Sequence, residues 1–131
     1  MEHEPLYATM PAPIFAGWLD RHEVALTLSS DHRAVHITPR DKIQGEVAQG
    51  LIRQHLRYLL ALAASRHIMR RLHEHGLSLQ QCRYAMPSSA KHMSYGDETP
   101  LEEVRGQVAD WVEAWERWIV GEVSPRKTVM I

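Results

Sequence analysis

A chain of 131 residues, 44% hydrophobic and 24% charged, can bury one core without disulfides or metal. Its formal net charge of −1 excludes a whole-molecule field that would select a polyanion or a membrane surface. The single cysteine, Cys82, excludes an internal disulfide framework and fits a reducing, cytoplasmic setting.

Residues 1–13 carry Pro5, Pro11 and Pro13, which forbid a continuous helix, so they read as an arm. This start is acidic and proline-rich, unlike a signal peptide. Residues 14–20, with Phe15, Trp18 and Leu19, form a short apolar element whose type the pattern leaves open. Residues 23–38 predict a β-hairpin, since Val24, Leu26, Leu28 and then Val35, Ile37 alternate with smaller or polar residues. With the turn at Ser30-Asp31, Leu26 faces Val35 and Val24 faces Ile37. A hairpin alone is marginal. A third strand is expected from residues 14–20, from the C-terminal tail, or from another subunit.

Thr38-Pro39-Arg40-Asp41 has an N-cap threonine, a proline at the first helical position and an acid behind it. It predicts one long helix over residues 39–75, ended by Gly76, with Gly45 and Gly50 weakening its first turns. Ala48, Leu51, Ile52, His55, Leu59, Leu62 and Met69 make its apolar stripe, and residues 58–64 are apolar almost all round. Ser78 and Gln81 suit a cap for a short helix carrying Leu79, Cys82 and Met86. Residues 87–100 read as a loop. Thr99-Pro100-Leu101-Glu102 repeats the cap signature, and an amphipathic helix follows over residues 100–120. Its apolar face holds Leu101, Val104, Val108, Trp111, Val112, Trp115, Trp118 and Ile119. Residues 122–131 are a tail whose last four residues suit a strand. The fold class is therefore α+β, mostly helical, with an N-terminal β-hairpin packed against two long amphipathic helices in one domain.

The chemistry-bearing residues form no strong motif. Residues 33–83 hold nine Lys or Arg against three acids, and residues 97–122 hold eight acids against Arg105 and Arg117. Arg53, Arg57, Arg66, Arg70 and Arg71 are thus candidate phosphate contacts, set against a plainer reading in which two oppositely charged helices pack together. Trp111, Trp115 and Trp118 are candidate interface residues, because aromatic side chains weigh heavily in protein contacts, although their spacing also suits a core. His55 and Tyr58 are candidate pocket residues. On strands, His32 and His36 stand about 13 Å apart, and on a helix His73 and His75 point to different faces, so no metal site is expected. Cys82 in an apolar segment reads as a core residue, and the S-x-x-K match at Ser88–Lys91 as chance. No cofactor signature is present. The functional expectation is a non-enzymatic protein-interaction or regulatory module that binds itself or another protein. A nucleic-acid-binding accessory protein and a small enzyme or ligand carrier are the alternatives.

Overall fold

The computed structural model describes residues 5–82 and 98–123. Most of the loop read at 87–100, Met86, the S-x-x-K match and the tail from residue 124 lie outside the described residues. Helices dominate. In chain order they are α1 (Ala12–Arg21), α2 (Glu46–Gln54), α3 (Leu56–His73), the single turn α4 (Leu79–Cys82) and α5 (Leu101–Trp118). A two-stranded antiparallel sheet, β1 (Ala25–Leu28) and β2 (Val35–Thr38), sits between α1 and α2 in sequence. This is the mostly helical α+β fold expected.

The element left open at 14–20 is helical. Pro11 and Pro13 sit at and just inside its start, where a missing N–H costs nothing. Its end carries no glycine. Val24 donates to the carbonyl of Leu19 and Glu23 to that of Asp20, a Schellman closure with Glu23 at φ 58°. An L side chain there costs about 1–2 kcal/mol. Glu23→Gly is expected to raise stability by roughly 1 kcal/mol, read as a higher urea midpoint with an unchanged slope.

The hairpin forms, but its register differs from the expected one by two residues. Leu26 pairs with Ile37 and Leu28 with Val35. The reason is the loop. Asp31 accepts from the Ser29 hydroxyl at 2.6 Å and from the Arg33 amide at 3.1 Å, while the Ser29 hydroxyl accepts from the Ala34 amide at 3.0 Å. These bonds close residues 29–34 as a wide loop in place of a tight turn at Ser30-Asp31. A shift of two keeps every side chain on its face, so the apolar set still points inward.

The single helix expected over residues 39–75 is two helices. Thr38 ends β2 instead of capping a helix, and residues 40–42 make only a 3-10 turn. The chain then breaks at His55, with φ −107° and ψ 18°, and not at Gly50. The His55 ring donates from Nε2 to the Met10 carbonyl at 2.7 Å, a contact 45 residues away in sequence. Met69, expected on the apolar stripe, is exposed on the outer flank of α3. At the other end of α3, Gly76 at φ 73° closes a Schellman turn, with Leu77 donating to Leu72 and Gly76 to His73. Ser78 and Gln81 form the reciprocal capping box expected of them, at 2.8 and 3.1 Å. The helix start at Thr99-Pro100 is shifted, since Pro100 is the N-cap and no side chain caps it.

α3 is the central element, with a cluster of buried residues on each side. One contains Leu60, Ala64, Ile68 and Leu72 of α3 with Val104, Val108, Trp111, Val112 and Trp115 of α5. The other contains Phe15, Trp18 and Leu19 of α1 with Leu26, Ile43, Leu51, Leu59 and Ala63. Leu28 and Val35 of the hairpin touch both. Among the described residues no helix is long and apolar enough to cross a membrane.

Candidate functional site: a groove at the free edge of the hairpin

Burial places two of the three tryptophans of α5 in the core. Trp115 is 1% exposed and Trp111 6%, both inside the α3–α5 core. Trp118 is half-buried, with its ring 5.8 Å from that of Trp115 in an edge-on arrangement. Of the three expected interface residues, Trp111 and Trp115 are thus core residues, and Trp118 packs against that core while staying partly exposed. The indole N–H groups of Trp111 and Trp115 are buried and find no hydrogen-bond partner among the described residues.

The five arginines do not form one face. Arg66 makes a two-pronged pair with Asp20 of α1, at 2.9 and 3.2 Å. Arg57 donates twice to the Thr99 carbonyl, at 2.9 and 3.2 Å. Arg71 grips both oxygens of Glu116 and also reaches Glu74. Arg53 and Arg70 are exposed. Arg71 and Glu116 do join α3 to α5, as opposite charge on the two helices suggests. Other acids of α5, such as Glu103, Asp110 and Glu113, face solvent, so they do not neutralise the basic residues of α3. His55 is occupied with Met10, and Tyr58 is exposed.

Among the described residues, two of the remaining histidines come together. His67 of α3 lies 3.5 Å from Glu116 and its ring centroid is 5.8 Å from that of His32 in the hairpin loop. Burial lowers the His67 pKa below the ordinary imidazole value, against the pull of Glu116. Among the described residues no three His, Cys, Asp or Glu side chains meet in a way that holds a metal ion. Burial raises the pKa of the Cys82 thiol, so it stays protonated and a poor nucleophile.

The feature missed in the sequence is a groove of about 570 Å³ along β2. One wall is the strand itself, Val35 to Thr38. The other is formed by Arg40, Ile43 and Gln44 after the strand and by Gln49 and Ile52 of α2. Ile43 is buried and Val35, Ile37 and Ile52 are half-buried, so the floor is apolar. His36, Thr38, Arg40 and Gln44 are exposed at the rim. Gln49 donates to the Ile43 carbonyl at 2.6 Å and Lys42 to the His22 carbonyl at 2.7 Å, which fixes the far wall against α1 and α2.

The strand wall has unused bonding capacity. Ser29 donates to the Ala34 carbonyl at 2.8 Å, which makes those two a bonded pair. Bonded and non-bonded pairs alternate along an antiparallel ladder. His36 and Thr38 therefore bond to β1, and Val35 and Ile37 turn their N–H and C=O groups outward. Among the described residues the sheet has two strands, and none of these residues forms a third strand against the outward groups. The groove thus combines an open strand edge, an apolar floor and a rim carrying Arg40 and His36 with no carboxylate among its lining residues. Alternation of Val35 and Ile37 was the only sequence signal for it. Comparison with known proteins returns no match to a family model, a curated protein or a solved structure.

Proposed function

We propose that the protein is a non-enzymatic interaction module that captures an extended segment of another protein along β2. The observation that carries this reading is the open edge at Val35 and Ile37 forming one wall of an apolar groove. An added strand satisfies the outward backbone groups, and alternate side chains drop onto Ile43 and Ile52, which is strand addition as a recognition mode. Arg40 and His36 at the rim favour a segment with acidic residues between its apolar ones. Four residues of β2 at about 3.3 Å each offer a seat roughly 13 Å long. The internal pairing of Arg57, Arg66 and Arg71 favours this reading over a polyanion-binding face.

Selection from a displayed library of short peptides tests it, followed by anisotropy titrations. Acidic, apolar-alternating sequences are expected to be enriched. Ile52→Arg, which fills the groove floor, is expected to weaken them at least tenfold, and Arg40→Glu several-fold with a flatter salt dependence. Met69→Arg, on the outer flank of α3, is expected to leave affinity unchanged. Selected peptides that bind Ile52→Arg and Arg40→Glu as well as the wild type would overturn the reading.

The same edge accepts β2 of a second copy, which is the homo-oligomeric form of this reading. Sedimentation at micromolar concentration separates the two forms. A species of twice 15.1 kDa that Ile52→Arg dissociates supports self-pairing, and a monomer supports a foreign segment.

A further inference from the structure

Two histidine rings meet outside the groove, where the hairpin loop rests on α3. His32 occupies the loop in the left-handed region, at φ 64°, which places its ring against that of His67 at 5.8 Å. A histidine in that conformation is uncommon and marks a position held by its surroundings. The groups facing His67 are few. Glu116 of α5 lies 3.5 Å away, but both of its oxygens already accept from Arg71. Arg70 and Arg71 of α3 and His32 of the loop are positive or become so, and each opposes a proton on His67. Glu74 is paired to Arg71 at 3.2 Å. On the loop side, Arg33 follows His32 and its carbonyl accepts from Arg105 of α5.

We propose that this contact is an acid-released latch, in which protonation of His32 and His67 together separates the hairpin tip from α3. Neutral rings meet in this tilted arrangement, 41° between planes, at no electrostatic cost. Two imidazolium rings this close repel, and Glu116, shared with Arg71, compensates only one of them. The loop moves as a unit because its internal bonds do not titrate in the same range. The Asp31 carboxyl is held below its usual value by the Ser29 hydroxyl and the Arg33 amide, so it stays charged. Arg105 on the Arg33 carbonyl is the remaining tether and serves as the pivot. The direction follows from His67. A lowered imidazole pKa means that the released state takes up the proton more readily than the seated one. The seat is therefore fully stable above about pH 6.5 and is lost as pH falls through the lower, seated-state value. This inference stands on the histidine contact and not on strand capture, so the two fail independently.

Amide spectra of the intact protein between pH 7.5 and 5.0 test it. In the wild type, the amides of residues 29–34 are expected to move together with one midpoint, at or below the ordinary imidazole value. Hydrogen exchange at the Ser29 amide, corrected for its intrinsic pH dependence, is expected to accelerate at least tenfold across the same range. In His67→Gln, which keeps a polar side chain but takes no proton, the concerted movement is expected to vanish. His32→Gln at the half-buried loop position gives the same result and serves as the second variant if His67→Gln loses its fold by circular dichroism. Concerted movement that persists in His32→Gln, or a wild type in which only His32 itself shifts, would overturn the latch.

Discussion

Trp115→Ala is expected to lower unfolding free energy by about 3–5 kcal/mol, the range for truncating a large buried aromatic side chain. Trp115 is 1% exposed and sits among α3 and α5 residues that are themselves fully buried, including Leu60, Ile68, Val108 and Val112. Its ring also meets Trp111 at 6.1 Å and Trp118 at 5.8 Å, so truncation opens a void that the two remaining rings cannot close. Trp115→Phe separates packing from polarity. The indole N–H is buried without a partner among the described residues, so removing it breaks no hydrogen bond and removes an unmet donor. The phenylalanine variant is expected to lose less than half of what the alanine variant loses. Urea unfolding of both checks this, and a cost below 1 kcal/mol for alanine would place Trp115 outside the core.

Phe15→Ala is expected to cost a similar amount, about 3–5 kcal/mol, on the other side of α3. Phe15 is fully buried where α1 meets the α2–α3 junction, with ring centroids 6.3 Å from Trp18 and 6.2 Å from His55. That junction holds the break at His55, so the loss is expected to loosen α1 as well as the helices beneath it. The two truncations lie in separate clusters, and their effects are expected to add within about 0.5 kcal/mol. Each cluster depends on α3, so unfolding of either single variant should remain a single transition by fluorescence and circular dichroism. Two separated transitions would show that the halves unfold independently.

The parts of this fold legible in the sequence are those set by local chemistry. Gly76 ends α3, Ser78 and Gln81 cap α4, and the spacing of Val104, Val108, Trp111 and Trp115 gives α5 its buried face. What was not legible depends on contacts distant in sequence or on conformations a residue type does not announce. His55 breaks the long helix through a bond to Met10. Glu23 ends α1 in the left-handed conformation where a glycine would have given a signal. Asp31 widens the hairpin loop by bonding Ser29 and Arg33, which moves the register by two. The candidate site was hidden for the same reason. Ile43 and Ile52 read as ordinary apolar residues, and only the folded chain sets them across from the free edge of β2. The tryptophans misled in the opposite sense, because the same periodicity serves a core and a contact face. Burial distinguishes the two, and burial belongs to the packed molecule.

Strand capture makes the outward amides of Val35 and Ile37 the reporters of function, since no strand among the described residues pairs with them. Residue-resolved hydrogen exchange with and without a selected peptide measures this directly. Both amides are expected to exchange quickly in the free protein and to slow at least tenfold at saturation, while those of His36 and Thr38, already bonded to β1, change little. Protection confined to another surface, such as the flank of α3 at residues 66–73, with Val35 and Ile37 still exchanging freely, would contradict the account.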